Sequence, residues 1–190
     1  MGHGWPATGR LLDVGIRPSL SIDVCSSNGG HMFGTMRATI GTERGFDNER
    51  ARQEGKPSVD QMQLTCRDVL EFATIEGARA CGLDSRIGSL SPGKRADVII
   101  VRADTFGMTP LNNPVGQFVY NAHPGLVDTV LVDGKIVKRA GSMVDVDVPR
   151  VRQLAIDARD NILVRAAGKN GVRLGGDWIP APYAAAEHAR

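Results

Sequence analysis

The stretch Arg17–Val24 reads RPSLSIDV, and it decides how the rest of the chain is interpreted. Its apolar residues alternate with serines, which is the periodicity of a β-strand. The turn-forming run SSNGG, residues 26–30, follows almost at once and ends the pattern. The stretch therefore predicts a short buried strand that presents one carboxylate, Asp23, at its C-terminal end.

Asp23 has two interpretations. In barrel and open α/β enzymes the reacting groups lie at the C-terminal ends of strands, because the loops there converge on one pocket. An aspartate at a strand end also serves as a cap for the turn or helix that follows. By itself the stretch favours the capping role over the catalytic one.

The overall composition excludes several classes of partner. A chain of 190 residues is long enough for one domain with a sizeable core or for two small ones. Its net charge of +2 is spread along the chain without a basic stripe, which argues against nucleic acid as a partner. No apolar run is long enough to span a membrane, and the start MGHGWP does not have the pattern of a signal peptide. We therefore expect a cytoplasmic protein.

The number and spacing of the cysteines do not predict a disulfide or zinc framework. Cys25, Cys66 and Cys81 are odd in number and widely spaced, which argues against both a disulfide scaffold and a structural zinc site. Cys25 lies next but one to Asp23 and raises the hypothesis of a nucleophile. No partner histidine can be assigned from the sequence, so a small buried thiol is the favoured role.

Helical periodicity organises the chain after Asp23. A helix is predicted from His31 to about Gly41, and its buried face comprises Met32, Phe33, Met36 and Ile40. Residues 43–60 are polar and predict a helix tail followed by a surface loop. Thr65 and Asp68 have the spacing of a capping box at the start of a second helix, which Gly82 ends.

The second half begins as a small antiparallel β unit. The β-branched run Val98–Val101 predicts a strand that is covered on both faces. Phe118–Tyr120 and Val127–Val132 are further candidate strands, and Asp133-Gly134 predicts a two-residue hairpin turn into Lys135–Val137. A last helix is predicted from Val148 to about Ala167.

Three passages carry a resemblance to a known family. They are residues 74–83 (TIEGARACGL), residues 87–97 (IGSLSPGKRAD) and, at the appropriate distance, residues 130–137 (VLVDGKIV). Together they resemble the C-terminal part of the metal-dependent amidohydrolase superfamily, and most closely its chlorohydrolase, cytosine-deaminase-like and aminohydrolase branch. The resemblance extends from about Gly2 to Ala140.

The resemblance implies an α/β fold in three parts. Residues 1–90 would be the last strand and helices of a TIM-like (β/α)₈ barrel. Residues 91–145 would be the C-terminal part of a small β-sandwich, and residues 146–190 a C-terminal helix and tail.

The resemblance also implies a chemistry. Family members use zinc or iron to hydrolyse carbon–nitrogen bonds other than peptide bonds, or carbon–halogen bonds, of small molecules. Asp23 matches the aspartate that binds the metal and takes a proton from the attacking water, and a carboxylate suits both tasks. His3 matches a loop position that contacts substrate.

The departures from the family pattern are as informative as the match. The chain has four histidines, and none forms a His-x-His pair: they are His3, His31, His123 and His188. Asp23 with His31 across the loop would still fall short of a zinc site, which needs at least three protein ligands.

Two hypotheses follow from these departures. In the first, the chain is the C-terminal portion of a hydrolase, from a truncated reading frame or a split enzyme. It would bind no metal and be inactive alone, and would act with a complementing N-terminal portion. In the second, the chain is a non-catalytic remnant that forms a homo-oligomer through surfaces that an incomplete barrel leaves exposed. The sequence does not identify the substrate.

Overall fold

The structure is a computed structural model that describes residues 5–24 and 29–166. It divides into two compact units, Met1–Val144 and Asp145–Arg190. The elements of the first unit are, in chain order, α1 (Thr8–Asp13), α2 (Met32–Gln53), α3 (Cys66–Phe72), α4 (Ile75–Ala80), β1 (Val98–Val101), α5 (Pro114–Asn121), β2 (Val127–Val132), β3 (Lys135–Arg139) and β4 (Ser142–Met143). Short 3₁₀ turns occupy Phe106–Met108 and Pro124–Leu126. The second unit contains α6 (Val148–Ala166).

The core of the first unit is built mainly on α2. Its predicted buried face is confirmed at Phe33, Met36 and Ile40, which are all buried. They pack in one cluster with Leu64, Val69, Phe72, Val119, Ala122 and Val127. The helix continues to Gln53, which confirms the helix tail predicted within residues 43–60, and its inner face includes the buried acidic residues Glu43 and Asp47.

The capping box at the start of α3 is confirmed. The Thr65 hydroxyl accepts from the Asp68 backbone N–H, and the Asp68 carboxylate accepts from the Thr65 backbone N–H. The expectation of one helix up to Gly82 is wrong, because the helix is interrupted between α3 and α4. The Thr74 hydroxyl donates to the Leu70 carbonyl at 2.7 Å, a local bond of the kind that competes with a regular helix. Gly82 follows α4 with a φ of 67°, the conformation of a helix stop.

The four strands form one antiparallel sheet in the order β1-β2-β3-β4. The hairpin turn between β2 and β3 is confirmed: Asp133 and Gly134 both have positive φ, 50° and 79°. This turn is tied to the passage before β1. The Asp133 N–H donates to Asp97 at 2.7 Å, the Gly134 N–H donates to the Ala96 carbonyl at 3.0 Å, and the Asp133 carboxylate forms an ion pair with Arg95.

Two predictions about strands are wrong. β1 is not covered on both faces: it is an edge strand, and Ile99 and Ile100 are 48% and 52% exposed. Phe118–Tyr120 is not a strand but the last part of α5. Asn113 caps that helix by accepting from the Gly116 N–H at 2.9 Å, and Pro114 at the first helical position has a backbone that suits a helix start.

The stretch Arg17–Val24 is not a strand of a sheet in this chain. Its side chains alternate as predicted: Leu20 and Ile22 are half-buried, whereas the serines and Asp23 are exposed. Strand ladders need a neighbouring strand, and the described residues offer none beside this stretch. The Leu20 N–H donates instead to the Phe72 carbonyl at 3.2 Å.

The second unit confirms the predicted last helix, α6, which ends at Ala166. At its start the Asp147 carboxylate accepts from the Arg150 N–H at 3.0 Å. Across both units, none of the described helices has the length and apolar character needed to cross a lipid bilayer.

Candidate functional site

Asp23 lies on an exposed part of the first unit. Its φ is 60°, a left-handed conformation that only a few per cent of non-glycine residues adopt. The Asp23 N–H donates to the Ser21 hydroxyl at 3.1 Å, which supports this turn of the backbone. Residues held in this conformation are enriched at functional sites, since the surrounding structure must offset the strain.

Arg17 anchors the stretch that carries Asp23. Its guanidinium donates to Asp68 at 3.0 Å, to Glu71 at 2.8 Å and to Glu76 at 3.0 Å. It also lies over the Phe72 ring, 5.0 Å from the ring centroid. One side chain therefore joins the stretch to both α3 and α4, six residues before Asp23.

The pKa values of two carboxyl groups that bind Arg17 are lowered in the folded protein. Burial alone raises the pKa of Glu76, but hydrogen bonds from Arg17 and Arg79 outweigh it and hold that pKa below its ordinary value. Burial likewise raises the pKa of Asp68, and hydrogen bonds from Thr65 and then Arg17 bring it below its ordinary value. Both carboxylates are therefore stabilised in the charged form that Arg17 needs.

The described residues do not assemble a metal site. They contain no group of three or more His, Cys, Asp or Glu side chains that is placed to hold an ion. His31 caps α2, with its Nδ1 accepting from the Gly34 N–H at 3.0 Å, and His123 accepts from the Gly125 N–H at 3.2 Å. One exposed carboxylate does not fit a zinc or iron centre by itself, because such a centre needs at least three protein ligands.

Several candidate residues fall outside the described part of the chain. They are His3, predicted to contact substrate, and Cys25, the alternative nucleophile. Of the two other cysteines, Cys66 is half-buried and Cys81 exposed, and both are free thiols.

An apolar groove lies between α2, α3 and the start of β1. Its volume is about 470 Å³, and its walls include Met32, Phe33, Leu70 and Ile87. Leu90 at its rim is 83% exposed, and Ile99 of the edge strand β1 contributes to the same groove. We call this set of residues the apolar groove.

The role of Arg17 was not predicted from the sequence of the stretch Arg17–Val24. The signal was present downstream. Three acidic residues, Asp68, Glu71 and Glu76, lie on two short helices, and Arg17, just before Pro18, pairs with all three of them.

Comparison with known proteins identifies the relatives of this chain. A model of the amidohydrolase family matches residues 1–137. A 5'-deoxyadenosine deaminase of Methanococcus maripaludis is 32% identical over 150 residues, which are 78% of this chain and 32% of that protein. A 5-methylthioadenosine/S-adenosylhomocysteine deaminase of Desulforudis audaxviator is 36% identical over 147 residues, which are 77% of this chain and 32% of that protein.

Solved structures show the same relationship. An adenosine deaminase from Xanthomonas campestris with bound zinc is 25% identical with a TM-score of 0.67, and the match covers 85% of this chain and 34% of the enzyme. An atrazine chlorohydrolase from Arthrobacter aurescens, complexed with zinc, shares the fold at 21% identity and a TM-score of 0.69, over 83% of this chain and 33% of the enzyme. The chain thus spans about a third of the length of the relatives it matches.

Proposed function

Because the chain belongs to the amidohydrolase family, we propose that it is the C-terminal portion of a metal-dependent hydrolase. The bond broken is a carbon–nitrogen or carbon–halogen bond of a small molecule, as in a deaminase or chlorohydrolase. The observation that carries the proposal is the family match over residues 1–137, which includes Asp23. The names of the relatives favour an amino-substituted nucleoside, since they are deaminases of adenosine derivatives.

In this proposal Asp23 is the catalytic carboxylate. Its side chain is exposed and the stretch that carries it is anchored by Arg17. A carboxylate in such a place can take a proton from an attacking water. Asp23 is also proposed to be a metal ligand, and His3 is proposed to contact the substrate.

The remaining metal ligands must come from another portion of the enzyme. Residues 1–90 correspond in this proposal to the last strand and helices of a barrel, and Arg17–Val24 to its last strand. That assignment is supported by the alternating exposure of the stretch, which suits a strand whose neighbours are supplied by the other portion. The apolar groove and the free edge of β1 are surfaces that such a portion would cover.

The test is a complementation assay. The chain is produced together with the part of the Methanococcus maripaludis deaminase that it does not match, and ammonia release from 5'-deoxyadenosine is measured. We expect bound zinc and turnover in the mixture but neither in the chain alone. Asp23→Asn should abolish turnover, since an amide cannot accept the proton.

Asp60→Asn is the matched control, because Asp60 is an exposed aspartate outside this site. A mixture in which Asp23→Asn is as active as the unmodified chain would overturn the role of Asp23. Stoichiometric zinc and turnover in the chain alone would overturn the need for a second portion.

A second candidate function is favoured by the exposed edge of the sheet. Ile99 and Ile100 of β1 are about half exposed, and a free edge strand can pair with a second copy of the chain. In this case the chain is a non-catalytic, self-associating module. Sedimentation over a range of concentrations should then show a dimer that Ile99→Lys disrupts and Leu111→Lys, at a similarly exposed site outside the sheet, does not. A monomer at all concentrations would exclude it.

A further inference from the structure

A second cavity lies between α1 and α2. Its volume is about 600 Å³. The residues that matter in its wall are Trp5, Gly9, Arg10, Glu43, Phe46 and Glu49. Asp23 does not line it, so what binds here need not be the substrate of the hydrolase.

Glu43 is the unusual member of this wall. Its side chain is only 2% exposed, and its buried Oε1 atom has no hydrogen-bond partner among residues 5–24 and 29–166. Burying a carboxylate oxygen without a donor is costly, and native proteins rarely leave such an atom unsatisfied. An N–H donor placed against this carboxylate would offset that cost.

The backbone of α1 closes over the other side of the Glu43 carboxylate. A β-carbon built on Gly9 would lie 2.3 Å from Glu43 Oε2 and 3.2 Å from Cδ, far inside normal contact. Any larger residue at this position would require the Glu43 carboxylate to move. The carboxylate is therefore covered by α1 on one side and lines the cavity on another.

The other acidic groups of the wall are already engaged. Glu49 accepts from Arg52 at 2.8 Å and 2.7 Å and from Gln53 at 3.0 Å. Asp13 accepts from Gln63 at 2.7 Å. Of the two arginines, Arg50 is paired with Asp47, whereas Arg10 is exposed to solvent. Glu43 is thus the acidic group of this wall that is left without a donor.

An aromatic pair completes the wall. The rings of Trp5 and Phe46 meet edge to face, with centroids 5.3 Å apart and planes at 78°. Aromatic faces attract cations and also pack against flat apolar groups. A buried carboxylate beside an aromatic wall is the combination that recognises an organic cation.

We propose that this cavity binds a small organic cation, an amidinium or primary ammonium group carried on a flat apolar body. The cationic N–H groups donate to Glu43, and the apolar body packs against Trp5 and Phe46. Glu43 supplies the preference for positive charge, because a neutral isostere has weaker donors for the same carboxylate.

The test compares benzamidine with benzamide, its neutral isostere, by calorimetric titration of the unmodified chain. We expect saturable binding of benzamidine that is about tenfold or more tighter than that of benzamide, since hydrogen bonds between charged groups are the stronger kind. Equal affinity for the two compounds, or no saturable heat from benzamidine, would overturn the proposal. This comparison requires no variant.

Glu43→Gln then locates the site. It keeps the shape of the side chain but removes the charge, so the preference for benzamidine should fall by about tenfold while benzamide is little affected. Glu49→Gln is the control, because Glu49 lines the same cavity but is paired with Arg52. Circular dichroism and thermal melting establish that each variant is folded. An unchanged preference in a folded Glu43→Gln variant would contradict the role assigned to Glu43.

Discussion

At the scale of single residues, Arg17 is the side chain that joins the stretch carrying Asp23 to α3 and α4. It is 38% exposed, yet one of its three acidic partners, Glu76, is only 7% exposed. An ion pair between exposed groups contributes little, whereas a buried carboxylate that loses its partner is strongly destabilising. The contribution of Arg17 to stability should lie between these two limits.

Replacing Arg17 by methionine should lower the free energy of unfolding by about 1–2 kcal/mol, because Glu76 would lose one of its two cationic partners while still buried. Urea denaturation of the two chains measures the change. Arg52→Met is the control: its pairing with Glu49 is exposed, so its loss of stability should be clearly smaller than that of Arg17→Met. Equal losses in the two variants would show that Arg17 is no anchor.

The pH dependence of stability should reflect the same cluster. The folded-state pKa values of Glu76 and Asp68 are both lowered by their hydrogen bonds. A lowered folded pKa gives stability that is present above the ordinary carboxyl pKa near ~4 and is lost as pH falls through the folded value. The denaturation midpoint should therefore fall on acidification below about pH 5. In Arg17→Met this acid-induced fall should be smaller, and an identical pH profile would contradict the assignment.

At the scale of the elements, the sequence was informative where one local rule determined the structure. Thr65 with Asp68 indicated a cap, and Asp133-Gly134 indicated a hairpin, because a few neighbouring residues determine each of these features. Phe118–Tyr120 was misassigned because three β-prone residues outweighed the cap at Asn113. The buried side of the α2 tail was missed because Glu43 and Asp47 look like surface residues in a sequence.

The hairpin turn offers a test at this scale. Gly134 has a φ of 79°, so Gly134→Ala should destabilise the protein by about 1–2 kcal/mol through left-handed strain. Gly45→Ala is the opposite case: it lies inside α2 with open space around it, and alanine should stabilise the helix by about 0.5–1 kcal/mol. Thermal melting should show a lower melting temperature for Gly134→Ala and a higher one for Gly45→Ala. A stabilising Gly134→Ala would contradict the assigned turn.

At the scale of the whole molecule, the family could be recognised from sequence but the site could not be completed. Residues 87–97 and 130–137 indicated the amidohydrolases, and the match over residues 1–137 shows the family. The catalytic role of Asp23 stays a prediction, because its chemistry depends on ligands that no residue described here provides. The pattern of residues 17–24 cannot by itself determine whether they form a strand of a sheet, since strand pairing depends on neighbouring strands.

Removing metal should have little effect on the isolated chain. The described residues contain no group of three or more metal-binding side chains. Dialysis against a chelator should therefore leave the melting temperature of the chain unchanged, and elemental analysis should find less than one zinc per chain. A fall in the melting temperature that added zinc reverses would show that the chain holds a metal by itself.

The contacts between Arg95, Asp97 and the Asp133-Gly134 turn have a consequence for how the strands align. Arg95 and Asp133 are 38 positions apart in the sequence, and their ion pair joins the passage before β1 to the hairpin turn. Both side chains are about half exposed, so a charge reversal at Arg95 should cost little stability, and reversing Asp133 with it should restore the ion pair. These contacts connect the start of β1 to the turn between β2 and β3. A mutation in either passage should therefore disturb the alignment of β1 with β2 and the hairpin of β2 with β3 together.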